Sequence, residues 1–204
     1  MTVLLAAACS KPSTDPPAAT AAASAPAATA STNSAGSVVG RGPAPSSSGA
    51  VVVVLEPRGA REFPAQGEKP VMDQVNLTFT PELMFVRTAQ SVEFRNSDDT
   101  LHNVNVKHEE TREQAFNVAI PTGGVYEHTF PRDGFYRVGC DIHPAMAASI
   151  FAASTPFAAL AEADGSFRFA DVPPGSWKVV VYVGGRRLQR DIDVRGGVTE
   201  VSVE

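Results

Sequence analysis

The sequence predicts an all-β protein, with two small antiparallel β-sandwiches behind a disordered N-terminal tether. Short runs rich in Val, Phe, Thr and Tyr with period-two alternation recur from Val51 onward, each closed by Gly, Pro, Asn or Asp. No stretch carries a clean helical stripe, and only Glu109 to Phe116 is expected to make a helical turn or two. The first aromatic residue is Phe63, so the opening quarter of the 204 residues has little from which to build a core. That length predicts one domain or two small ones. Seventeen Lys plus Arg stand against 22 Asp plus Glu, and a net charge of −5 gives no cationic surface for phosphates; nucleic-acid binding is disfavoured.

In chain order, residues 1–9 read Met1-Thr2-Val3-Leu4-Leu5-Ala6-Ala7-Ala8-Cys9, an apolar stretch with small residues directly before a Cys and polar Ser10-Lys11-Pro12 after it. This resembles the end of a bacterial lipoprotein signal peptide. The resemblance implies acylation of Cys9 and a lipid-anchored protein of the periplasm or cell envelope. From Ser10 to Gly36, 23 of 27 residues are Ala, Ser, Thr or Pro, a composition that cannot offset its ordering entropy by burial. Residues 10–36 therefore read as a flexible linker with an end-to-end distance of roughly 30 Å. No run of about 18 apolar residues is present, so the expected membrane attachment is through lipid at Cys9. The two Cys, Cys9 and Cys140, differ so much in context that no disulfide is expected.

Residues 37–60 contain the run Val51-Val52-Val53-Val54-Leu55, stopped by Glu56-Pro57-Arg58-Gly59. Within residues 61–153, Val71 to Phe79 reads as one strand with Val75, Leu77 and Phe79 alternating and Pro81 closing it. Val92 and Phe94 precede a turn at Asn96-Ser97-Asp98-Asp99. His102, Val104 and Val106 fall on one face of the next strand, and Tyr136, Val138 and Cys140 on one face of another. Residues 154–204 have a second rhythm. Asp164-Gly165, Val172-Pro173-Pro174-Gly175, Gly184-Gly185 and Gly196-Gly197 punctuate strands carrying Trp177, Val179, Val181 and Val183, then Leu188, Ile192 and Val194. These strands are too few to close a core. The strands of 37–60 are expected to pair with them, which makes 61–153 an insertion in a split sandwich.

The chemistry is concentrated in Cys140-Asp141-Ile142-His143-Pro144-Ala145-Met146, a thiolate, an imidazole and a thioether spaced C-x2-H-x2-M after a strand, with His102 lying 38 residues upstream. Two imidazoles and a thiolate in a plane, with a weak axial thioether, suit copper moving between two oxidation states. Thiolate and thioether favour Cu(I), imidazole accepts Cu(II), and a rigid β frame that holds both states limits reorganisation. One copper per chain is expected, held by His102, Cys140, His143 and Met146. Haem attachment needs C-x-x-C-H and a dithiol site needs C-x-x-C, and Cys140 has neither partner. A structural zinc site would prefer more thiolates and no thioether. Ligands three residues apart in one loop imply no nucleophile and base geometry. His108 and His128 have polar neighbours and no ligand spacing, and they read as solvent-exposed.

From about Val71 to Ala153 the chain resembles a cupredoxin of the plastocyanin and amicyanin kind, a Greek-key β-sandwich. The resemblance rests on Asn96-Ser97-Asp98-Asp99-Thr100-Leu101-His102-Asn103-Val104 and on Gly134-Phe135-Tyr136-Arg137-Val138-Gly139-Cys140-Asp141-Ile142-His143-Pro144-Ala145-Met146. It implies His102, Cys140 and His143 as equatorial ligands, Met146 as axial ligand, and Asn103 as the residue that ties the two ligand loops together by hydrogen bonds. Asp164-Gly165-Ser166-Phe167 followed by Val172-Pro173-Pro174-Gly175-Ser176-Trp177 resembles the carboxypeptidase regulatory-like, transthyretin-like sandwich. The combination is similar to bacterial secreted proteins labelled methylamine utilization proteins. These resemblances imply a blue-copper one-electron carrier that meets redox partner proteins transiently and turns over no small-molecule substrate. The alternative is a copper-binding or envelope-interaction protein whose metal is structural, stored or sensed.

Overall fold

The structure is a computed structural model and describes residues 34–46 and 49–204. Cys9 and the linker up to residue 33 lie outside the described residues. The described chain is built from strands β1 (Gly36–Arg41), β2 (Val52–Pro57), β3 (Val71–Val75), β4 (Thr78–Thr80), β5 (Leu83–Arg87), β6 (Ser91–Asn96), β7 (His102–His108), β8 (Gln114–Ile120), β9 (Val125–Thr129), β10 (Gly134–Gly139), β11 (Ala147–Ala153), β12 (Ala158–Leu160), β13 (Ser166–Val172), β14 (Gly175–Val183), β15 (Arg186–Val194) and β16 (Gly197–Ser202). No helix among the described residues is long and apolar enough to cross a membrane.

Four sheets result, in the orders β4-β3-β6-β9, β5-β11-β10-β7-β8, β13-β1-β16 and β12-β2-β14-β15. The first two enclose a core that includes Met72, Phe79, Phe94, Val104, Val138, Cys140, Met146 and Ile150. The last two enclose another, built on Val38, Leu55, Phe167, Trp177, Val179 and Val194. β1 lies between β13 and β16, and β2 between β12 and β14, so the segment before β3 is hydrogen-bonded to the segment after β11.

The valine run explains how the layers join. Val51, Val53 and Leu55 point into the second core, while Val52 and Val54 point the other way and meet Phe151 and Ala153 of β11. A strand covered on both faces reads as a continuous apolar run rather than an alternating one, and all five of these residues are buried. Phe85, Phe135, Ala158 and Tyr182 complete this third cluster, with Tyr182 5.1 Å from Phe151 between ring centroids. β11 is therefore clamped from both sides: Ile150 and Ala152 face one core, and Phe151 faces the next sheet.

The structure corrects several readings of the sequence. Val71 to Phe79 is not one strand, because Asn76 and Leu77 both have positive φ (54° and 57°) and form a two-residue hairpin turn between β3 and β4. Leu77 is consequently turned outward, 51% exposed. Glu109 to Phe116 forms no helix: a single turn, closed by the Arg112 N–H donating to the His108 carbonyl at 2.9 Å, ends at Arg112 with φ 61°, and the chain enters β8 at Gln114. His108 is buried rather than exposed. It is satisfied by the Asp133 carbonyl at Nε2 and by the Thr111 N–H and hydroxyl at Nδ1. His128 is half-buried among Phe116, Phe130 and Tyr126, and its buried Nε2 has no hydrogen-bond partner among the described residues. The aromatic rings flanking both histidines screen them from water in a way their polar sequence neighbours do not show.

Burial pushes the His128 pKa below its ordinary 6.5. The folded state then prefers neutral His128, while the unfolded chain binds a proton as soon as pH falls through the ordinary value. Stability should be full above that value and decline below it. His128→Phe is expected to flatten the stability difference between about pH 7.5 and pH 5.5, measured by denaturant unfolding. An unchanged slope would remove His128 from the account.

Candidate metal centre

Two antiparallel neighbours bring the donors together. β7 and β10 pair with Asn105 opposite Gly139 and Val106 opposite Val138, so the start of β7 and the residue after β10 lie at the same end of the sheet. His102 is the first residue of β7 and Cys140 follows the last residue of β10. The loop from Cys140 to Met146 is closed by its own backbone: the Met146 N–H donates to the His143 carbonyl (2.9 Å) and the Cys140 N–H to the Met146 carbonyl (3.3 Å). Its shortness forces His143 back over Cys140, and the His143 N–H points at Cys140 Sγ at 3.4 Å.

His102, Cys140 and His143 are thereby grouped, with their donor atoms all within 4.8 Å of one another. The two Nδ1 atoms are 2.9 Å apart, and each is 3.9 Å from Cys140 Sγ. One ion with bonds of about 2.0 Å to nitrogen and about 2.3 Å to sulfur spans a triangle of this size. His102 and Cys140 are 0% and 4% exposed, while His143 is half-buried and closes the site on the solvent side. Met146 is buried at the loop's end, in the same core cluster as Cys140. A soft thiolate and thioether beside two imidazoles in a mainly apolar pocket fit copper better than zinc or a hard cation.

Polar groups around the triangle fix its orientation. His102 Nε2 lies 2.8 Å from Asp98 Oδ2. An ionised carboxylate can only accept, so Nε2 carries the hydrogen and Nδ1 turns its lone pair toward Cys140. Asp98 is itself held by the backbone N–H groups of Asn76 (2.6 Å) and Leu77 (3.0 Å), the two positive-φ residues of the β3–β4 turn. The Leu77 N–H, then His102 and Asn76, hold its carboxyl below the ordinary carboxylate range. Asn103 Oδ1 accepts the Asp141 N–H at 2.7 Å and lies 3.3 Å from Cys140 Sγ, joining the β7 strand to the Cys140 loop. Gln74, fully buried, donates to the Asn103 carbonyl at 3.3 Å.

Asp98, Asp141, Asn105, Asn117 and Gln74 are polar partners of the site that the sequence reading does not single out. The signal for Asp98 was its place four residues before His102. For Asn105 it was the two-residue step from Asn103, which puts both on one face of a strand. His108 and His128 lie away from the triangle, at the far end of β7 and in β9.

Residues 67–151 match the family described as copper binding proteins, plastocyanin/azurin family. This segment is a cupredoxin domain, all-β, and its cofactor is copper. No curated protein matches the chain. Among solved structures, amicyanin from Paracoccus versutus (Thiobacillus versutus) is 18% identical, with 44% of this chain and 85% of that one covered at a TM-score of 0.39. A purple cupredoxin from Nitrosopumilus maritimus is 19% identical, with 42% and 100% covered and a TM-score of 0.37. The copper-containing nitrite reductase from Thermus scotoductus SA-01 is 23% identical over 49% of this chain and 26% of its own, with a TM-score of 0.40.

Asp98→Ala should leave all three donor residues in place yet free the His102 ring to rotate and change tautomer. Copper affinity is expected to fall about 10- to 100-fold in competition with a chelator. Wild-type affinity in this variant would show that the carboxylate does not orient His102.

Proposed function

We propose that the chain is a type 1 copper protein that carries one electron at a time between partner proteins of the bacterial cell envelope, and that it is not an enzyme. The observation that carries this reading is the triangle of His102, Cys140 and His143 donors, held at 2.9 and 3.9 Å by a short loop and a paired strand. His102, Cys140 and His143 would be the close ligands of the copper and Met146 a weaker fourth. Copper bound there supplies a reversible Cu(II)/Cu(I) couple. The chain's part is to hold the donors still: the sandwich on one side and the Asn103 and Asp98 hydrogen bonds on the other leave them little freedom to rearrange when charge changes.

Electrons leave through the exposed side of His143. Leu101 and Ile142, 48% and 47% exposed, and exposed Pro144 and Ala145 adjoin the two histidines, making an apolar rim that loses little on transient desolvation. His102 and Cys140 are buried, His143 is half-buried, and outer-sphere electron transfer needs no channel for a small substrate. The segments 37–60 and 154–204 together form the second, transthyretin-like sandwich, into which the copper domain, 61–153, is inserted. Its strand pairings between β1, β2 and β12 to β16 support that division.

The copper-loaded protein should absorb intensely toward the red end of the visible range and bleach on reduction. Cys140→Ser should abolish the band, because a hydroxyl cannot replace the thiolate as charge-transfer donor. Met146→Leu should keep the colour and raise the potential, since loss of the axial sulfur favours Cu(I). Copper uptake without colour or a reversible voltammetric wave would instead favour the interaction-protein reading.

We further propose that Cys9 is acylated and tethers the domain to a membrane through residues 10–36. The Ala6-Ala7-Ala8-Cys9 junction supports this. Intact mass of native material should show loss of residues 1–8 and added acyl chains; an unprocessed, unmodified N-terminus would refute it.

A further inference from the structure

Asp141, the residue bonded directly to Cys140, sits in a socket made of amides. Its Oδ2 accepts from Asn103 Nδ2 (2.9 Å), Asn117 Nδ2 (3.0 Å) and Asn105 Nδ2 (3.1 Å), and its Oδ1 accepts from Asn105 Nδ2 (2.9 Å). Asn103 and Asn105 stand two apart on β7, and Asn117 faces Asn105 across the β7–β8 ladder. Three separate side chains thus converge on one carboxylate that is itself open to solvent.

None of the three amides is free to turn. The Asn103 oxygen is taken by the Asp141 N–H, so its nitrogen must face the carboxylate. The Asn117 oxygen accepts from Asn103 Nδ2 at 2.8 Å, which turns the Asn117 nitrogen the same way. The Asn105 oxygen accepts from Gln114 Nε2 at 2.8 Å, and Gln114 is anchored in turn on the Phe116 carbonyl. The socket therefore presents only donors. It suits a group that only accepts, which is an ionised carboxylate; an Asn at this position would turn an NH2 group toward the donors.

We propose that Asp141 is the positioning and charge-setting residue of the copper site: the amide socket pins the Cys140–His143 loop to the strand that carries His102, and it keeps a fixed negative charge beside the thiolate that favours Cu(II) over Cu(I). This rests on the copper site proposed above. The one-electron step is Cu(II) plus an electron from a partner giving Cu(I), and a nearby negative charge opposes the loss of positive charge. Lys107, exposed on the same face of β7, is a nearby cation that offsets this field in part. The trough beside it also carries Glu82 and Arg137.

The test uses the full chain and copper alone, with Cu(II) and Cu(I) affinities each measured by chelator competition. Asp141→Asn should lower the ratio of Cu(II) to Cu(I) affinity about tenfold, and Asp141→Ser should do so too should the first variant fold poorly. Asn117→Ala keeps the charge and should leave the ratio within about twofold. In the metal-free protein, both Asp141→Asn and Asn117→Ala should speed hydrogen exchange at the Ile142 and His143 amides about tenfold or more, as the loop opens more readily. An unchanged ratio in both Asp141 variants would overturn the charge-setting role, and unchanged exchange the positioning role. Because the ratio comes from binding, it is read whether or not the wild-type couple is reversible. A wild type without a reversible wave would count against the electron-carrier reading separately.

Discussion

The proposed site requires three donor atoms from two places in the chain to be held within bonding range of one ion, inside a largely apolar pocket. The antiparallel pairing of β7 with β10 meets that constraint: with Asn105 opposite Gly139, the start of one strand and the end of the other share one rim of the sheet. His102 and Cys140 then meet without any long excursion of the backbone, and the short loop returns His143 over the same point. A one-residue slip of the β7–β10 register would turn His102 from the core face to the outer face. The side chains that fix the register, Val104, Val106 and Val138, are all fully buried.

The sheet carrying the site is held on its other face as well. Phe151 and Ala153 of β11 meet Val52 and Val54 of β2, with Phe135 and Tyr182 closing the seam. Fully burying a side chain such as Phe151 contributes on the order of 2–3 kcal/mol. The second sandwich thus acts on the copper domain through packing: it stiffens β10 and β11, between which the ligand loop hangs. Its cover reaches Phe85, Phe135 and Phe151, while the residues nearer the loop on that face, Gly139, Ala147 and Ser149, line an open trough. Packing therefore stops short of the donors and leaves the rim around His143 to solvent.

Much of this was legible in the sequence because the relevant signals are local. Alternation places His102 with Val104 and Val106, and Cys140 with Val138 and Tyr136, and in the structure all six are buried. The spacing of Cys140, His143 and Met146 in one loop needs no tertiary information at all. The turn at Asn76-Leu77 was hidden because Leu at positive φ is rare, and it is tolerated where both N–H groups find the Asp98 carboxylate, a partner about twenty residues away. His108 and His128 misled for the same reason. Their neighbours in sequence are polar, yet their neighbours in space are Tyr136, Phe116 and Phe130, supplied by other strands. The amide socket around Asp141 could not be read either, since Asn105 and Asn117 become partners only once β7 and β8 are in register.

The two carboxylates around the proposed site divide the work. Asp98 sits behind His102 and acts along a hydrogen bond through the ring, fixing the tautomer and making the imidazole a stronger donor. Asp141 follows Cys140 in sequence, and its carboxylate is bonded to the neighbouring strands through the Asn103 amide, whose oxygen lies 3.3 Å from Cys140 Sγ, and through Asn105 and Asn117. In the proposed site each would oppose the preference for Cu(I) that burial imposes. Asp98 is largely shielded, with 12% of its side chain exposed, whereas Asp141 is open to solvent, so the field of Asp141 is the more screened of the two. Under the proposed roles, charge at Asp141 would tune the balance between oxidation states gently, and tightly bonded Asp98 would hold the His102 ring on which that balance also rests. In the proposed site Asp98 orients the His102 ring, while Asp141 both pins the Cys140–His143 loop to the neighbouring strands and sets the charge there, so each carboxylate acts on one of the two places in the chain that supply the donors.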